Sequence, residues 1–212
     1  MAQKYTAVIN VEMGMVAEHK GEGKYGDILD MGGLQTVARN TAAANEPVHG
    51  DGVQLDEIHA LVNNTLNETT AGEDDDFIAL VSGRSKNTDG EYEISEADSP
   101  PFVGHTYIEK TRSASLEAGV KEAYRGWFHP RGKFAPSNHT GTAKTDTITP
   151  STTQLAFTAF PDSAGMIARY KSFDGDTARA DAIAWCKAKL GAGASAAAAP
   201  SLAAKGTVKA DG

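Results

Sequence analysis

Alternation of apolar and polar positions marks the middle of the chain. From Phe102 onward, Phe102, Gly104, Thr106 and Ile108 fall on one side and Val103, His105 and Tyr107 on the other. A second run covers Ala123 to His129. A third covers Thr152 to Phe160, with Leu155, Phe157 and Ala159 facing one way and Gln154, Ala156, Thr158 and Phe160 the other. Period two with β-branched and aromatic side chains is the signature of sheet, because successive residues of a strand point to opposite faces. Upstream, Tyr5 to Val11 alternates as a first strand. Glu12 to Asp30 is polar and Gly-rich and reads as a long loop, and Thr36 to Ala44 reads as a second strand. Asn45 to Gly52 is dense in turn formers. Val53 to Leu66 then resumes, with a slip of phase between Leu55 and Ile58 that suggests a bulge. These last segments together read as a hairpin with a long tip.

Two segments carry helical signals. In Asp74 to Gly83, acids precede Phe77, Ile78, Leu80 and Val81, and a glycine closes the run, which suits a short capped helix, with a strand as the competing reading for so short a segment. Arg84 to Ser99 is polar, with a turn at Asn87 to Gly90 and a short strand at Glu91 to Ile94. Asp176 to Leu190 is the better helix, with an apolar stripe of Ala180, Ile183, Ala184, Trp185, Ala188 and Leu190 that lays Trp185 on the sheet. Asp176 or Thr177 caps its start and Gly191 stops it. The chain then turns Ala/Gly/Ser-rich and lacks large side chains to bury. The expected organisation is therefore one domain over residues 1–190 and a flexible tail over 191–212.

Composition narrows the function classes. At 212 residues, 40% hydrophobic and 23% charged, the chain is long enough for a real core and has no apolar run that would span a bilayer. Its start lacks a secretory apolar segment, so cytosolic synthesis is expected and the sequons at Asn63, Asn67 and Asn138 carry no weight. Cys186 is the single cysteine, which excludes an internal disulfide and a thiolate metal cluster. Net charge is −8 but uneven: residues 56–98 hold twelve acids against Arg84 and Lys86, a segment at −10, leaving +2 for the rest. That is not the basic footprint of a general nucleic-acid binder.

Local chemistry is sparse. Gly21-Glu-Gly23-Lys-Tyr-Gly26 matches G-x-G-x-x-G, but polar residues precede it and no helical pattern follows, so it reads as a loop rather than a dinucleotide site. Glu73 to Asp76 lacks the alternating ligands of a calcium loop and reads as helix-start acids. The histidines (His19, His49, His59, His105, His129, His139) show no metal-ligand spacing, and no nucleophile elbow accompanies them. Tyr124, Trp127, Phe128 and Phe134 read as core before ligand platform. No catalytic, cofactor-binding or metal-ligating residue is assigned, and the chain is expected not to be an enzyme.

The ordered set of segments resembles a known family. FVGHTYIEKTRS, then YRGWFHPRGKF (Tyr124 to Phe134), a polar connector, and the Thr/Pro/Leu-rich Thr147 to Phe157, are similar to the major tail tube proteins of long, non-contractile bacteriophage tails. Asn45-Glu-Pro47, the strand after it and Asp76 to Gly83 follow the family's order, so the likeness runs from about Thr36 to Phe160. The resemblance implies an antiparallel β-sandwich or barrel-like domain with a flanking α-helix and long loops. It implies hexameric rings that stack into a hollow tube in the virion tail, built in the host cytoplasm. Implied partners are further copies of the chain, the tape-measure protein, tail terminator and distal tail proteins, and double-stranded DNA that passes without sequence-specific contacts. On this reading Glu12 to Asp30, Asn45 to Gly52 and the C-terminal arm contact the next ring, and the bore is acidic or neutral, with six times −8, or −48, per ring. The alternatives are an inner tube protein of a contractile tail or injection machine, and a β-sandwich carbohydrate-binding module with Trp127 and Tyr124 as its platform.

Overall fold

A computed structural model describes residues 4–50, 53–72, 74–115, 119–136 and 152–191. In chain order the elements are β1 (Lys4–His19), β2 (Tyr25–Asp30), β3 (Leu34–Gly50), β4 (Val53–Thr70), α1 (Asp75–Ser82), β5 (Ser85–Lys86), β6 (Tyr92–Glu93), β7 (Val103–Ser115), β8 (Gly119–Phe134), β9 (Thr153–Ala159), β10 (Arg169–Phe173) and α2 (Ala178–Lys189). All strands but β5 and β6 join one antiparallel sheet ordered β2-β1-β7-β8-β9-β4-β3, with β10 added to β8 beside β9. The fold is mainly β, as the alternation predicts. The sheet curls until β1 and β3 touch without pairing, which gives it a barrel-like inside.

The two faces of the centre are filled differently. Val103, His105, Tyr107 and Glu109 of β7 point inward with Phe134 of β8, Leu66 and Glu68 of β4, and Leu155 and Phe157 of β9. The intervening Thr106 and Ile108 face outward, where α2 covers them. Helix and sheet approach closely because a glycine lies beneath: a Cβ on Gly126 would stand 2.8 Å from Trp185 Cε3 and 3.1 Å from Cys186 Sγ. The buried stripe of α2 is Ala178, Ala182, Cys186 and Leu190, with Ile183 and Trp185 flanking it. The expected stripe is thus off by part of a turn, and Ala180, Ala184 and Ala188 are exposed. Alanine fits either face, so period alone could not choose among them.

α1 ends as its residues dictate. Phe77 N–H donates to Asp74 Oδ1 at 2.9 Å, and Gly83 takes the left-handed conformation at φ 73°. Its Phe77 and Val81 plug the inner core, Phe77 edge-on to Phe134. The phase slip expected between Leu55 and Ile58 is a register shift at Gln54–Asp56, one step earlier.

The expected loop over Glu12 to Asp30 is instead a hairpin. β1 runs on to His19, turns through Gly21, Glu22 and Gly23, all at positive φ, and returns as β2. The apolar Met15, Val16 and Ala17 decide this, because they bury themselves against Thr106, His105 and Gly104 of β7. β10 was not foreseen: its Arg-Tyr-Lys-Ser-Phe run is largely exposed and shows little apolar period. The turn-rich Asn45 to Gly52 is strand as far as Gly50, which still pairs with Val53. The expected tail from residue 192, the connector 137–151 with Asn138 and His139, Glu73, residues 51–52, and the side chains of His49, His59 and Asn63 lie outside the described residues.

Candidate functional site

Three features stand out, and the first is a polar cluster inside the curled sheet. Cross-strand pairing sets His105 opposite His129 and Tyr107 opposite Trp127. The four rings stack side by side, with His105–His129 centroids 5.8 Å apart and Tyr107–Trp127 centroids 6.2 Å apart. Glu68 comes from β4, with Oε1 3.4 Å from His105 Nε2. All three ionisable groups are fully buried. Burial raises the Glu68 carboxyl to about 8, so at neutral pH it keeps its proton. Burial, then the Arg39 charge, lowers His129 to about 3; burial, then His129, puts His105 well below its ordinary value. Glu68 and His105 therefore meet as neutral acid and neutral imidazole, not as an ion pair. Next to them, Glu109 is clamped by Arg39 at 3.2 Å and Arg125 at 3.7 Å, and the Arg39 guanidinium lies 3.8 Å over the Trp127 ring. Tyr170 of β10 closes this ladder at 4.8 Å from Trp127.

Strand register assembles this cluster. A register slip of one residue would turn His105, Tyr107 and Glu109 outward, away from Glu68. Sequence spacing could not find it, because Glu68, His105 and His129 sit on three different strands. One signal was available: the alternation already put His105 in phase with Val103 and Tyr107. Among the described residues no group of three His, Cys, Asp or Glu is arranged to hold a metal ion. The aromatic residues weighed as a platform are split. Trp127 and Phe134 serve the inner core, while Tyr124 and Phe128 pack toward α2. That removes the Trp127–Tyr124 pair on which the carbohydrate reading rested. The G-x-G-x-x-G run is the β1–β2 turn, followed by a strand and not a helix.

The second feature is a surface cleft of about 640 Å³ between the β1–β2 turn, the end of β8 and the loop before β10. Tyr25 fixes its wall: the hydroxyl donates to the Pro130 carbonyl at 2.8 Å, and burial, then Asp162, pushes the phenol up to about 12. The third feature is the margin of the sheet. β2 and β3 each pair on one side only. Beyond Asn64, where β4 leaves β9, residues 43–50 of β3 and 53–63 of β4 continue as a two-stranded arm, with no third strand beside it among the described residues.

No protein-family model matches the chain, and no curated protein matches it significantly. Among the described residues no helix is long and apolar enough to cross a membrane.

Proposed function

We propose that this chain is a structural subunit of a bacteriophage tail tube of the long, non-contractile kind. Copies join into hexameric rings, the rings stack, and the hollow tube encloses the tape-measure protein during assembly and later conducts DNA to the host. No group of the chain takes part in a reaction. Terminator and distal tail proteins finish the two ends, and the place of the protein is the virion tail.

One observation carries the reading: the β3–β4 arm. A lone two-stranded ribbon is marginal in water, and its outer edges offer rows of unpaired N–H and C=O groups. Among the described residues, 43–50 and 53–63 of these strands pair only with each other. An arm of that build is supported best by a neighbouring copy. Heterologous contacts close into rings when the rotation closes. The net charge of −8 per chain fits a conduit as well, since a bore without excess cations releases phosphates instead of holding them.

The test is to shorten the arm by joining residue 44 to residue 61 through a two-residue turn. A folded subunit that no longer forms tubes is the expected outcome. Tubes of normal diameter and length from the shortened chain would overturn the role of the arm. The β1–β2 hairpin is unsuitable for such a deletion, because Met15, Val16 and Ala17 belong to the core.

A further inference from the structure

The cleft beside Tyr25 gathers cations that make no ion pair among the described residues. Its apolar floor is made by Phe102, Phe128, Pro130 and Met166, and Arg131, Arg169 and Lys189 stand around it. Lys133 shares the Phe102 ring with Arg131, at 4.7 and 3.8 Å, and Lys171 stands close enough to Lys189 to act on its charge. None of these five cations makes an ion pair among the described residues. The cleft also holds two acids, both with local partners. Glu22 pairs with Lys24, and Asp162 Oδ1 accepts the N–H groups of Ala164 and Met166. In a chain at −8, three cations around one apolar floor, with Lys133 and Lys171 beside them, stand out.

The complement lies elsewhere on the same chain. Residues 87–98 hold Asp89, Glu91, Glu93, Glu96 and Asp98 and no lysine or arginine. In their midst Ile94 is 74% exposed, the most exposed large apolar side chain described. This β5–β6 ribbon is ordered in advance. Asn87 Oδ1 accepts the N–H groups of Asp89 and Glu91, and Lys86 and Tyr92 tie the ribbon to Asp76 of α1. Preordering lowers the entropy lost on docking. No residue of 85–98 lines the cleft of its own chain.

We infer that the cleft receives the acidic β5–β6 ribbon of a second copy of this chain, with Ile94 on the apolar floor and the ribbon carboxylates among the five cations. Giving patch and receiving patch are different surfaces, so the contact is head-to-tail and propagates around a ring. The inference rests on the self-assembly proposed above and names one of its contacts. Charge complementarity of this kind sets register and partner choice, and salt weakens it.

The experiment uses full-length chain and two charge reversals, R131E/R169E/K189E in the cleft and D89K/E93K/E96K in the ribbon, with circular dichroism to verify folding. Assembly is followed by sedimentation velocity and electron microscopy. Each reversal alone is expected to raise the concentration needed for assembly by about tenfold or more, and an equimolar mixture of the two is expected to regain it. Ile94→Asp, which leaves the hydrogen bonds of the ribbon intact, is expected to weaken assembly in the same direction. A wild-type chain that assembles while both reversals assemble equally well overturns this contact and leaves the tube reading standing. A wild-type chain that stays monomeric overturns both. A cleft that retains a short double-stranded DNA, with assembly insensitive to the ribbon reversal, also overturns the contact and makes phosphate its ligand.

Discussion

β7 and β8 at the centre of the sheet and β2 and β3 at its margins belong to one sheet but end in opposite states. The central strands are paired on both sides and covered on both faces, by the aromatic interior within and α2 without. Their backbone ladders are filled, although buried polar atoms of His105, Tyr107, Trp127 and His129 have no hydrogen-bond partner among the described residues. β3 is paired on one side, and its Thr36, Ala38, Asn40 and Ala42 are exposed. The difference teaches where stability and association reside. The centre holds most of the core, while the margins, though Leu29, Leu34 and Val37 reach it, are paired on one side among the described residues.

Substitutions separate the two regions. Gly132→Ala is expected to do most harm, since its Cβ would stand 2.0 Å from Phe157 Cζ and 2.7 Å from the Thr158 carbonyl at the β8–β9 junction. A loss of about 3 kcal/mol or more should appear in urea unfolding, against about 0.5 kcal/mol or less for Thr36→Ala on β3. Equal losses at both sites would break the contrast.

The buried cluster gives the next effect, and it depends on pH. Folded Glu68 holds a proton up to about 8 that the unfolded chain releases near its ordinary 4.5, so its contribution is lost as pH rises through that window. His105 and His129 act in reverse: the unfolded chain takes up protons below about 6.5 that the folded chain refuses. Stability should therefore peak near pH 6.5 and fall by about 2 kcal/mol by pH 8. Glu68→Gln should flatten that alkaline decline, and a decline that persists unchanged would move its cause to another group.

Asp74→Ala removes the N-cap of α1 and should cost about 1 kcal/mol in the same unfolding measurement. The smallest effect on the isolated subunit is expected from prolines placed in β3 where the N–H points away from β4. They should change its melting little yet abolish tubes, because only the free edge loses its donors.

Much of the centre was legible in the sequence. Leu155, Phe157 and Ala159 face inward together as their spacing required, and α1 begins and ends on the residues that cap it. What escaped had physical reasons. Gly14 reads as a loop residue, yet it is there so that Met31 can pack against it, with Sδ 2.7 Å from the position of a Cβ. The face of α2 was ambiguous because small residues surround the helix. The Glu68–His105–His129 cluster is a product of strand pairing across long separations, which no local spacing encodes. The cleft likewise unites the first hairpin with residues near the end of the sheet.

Electron microscopy of the purified wild-type chain over a range of concentrations tests the self-assembly directly. Rings of six copies and stacked tubes with an open bore are expected. A particle of single-chain size at every concentration would contradict it.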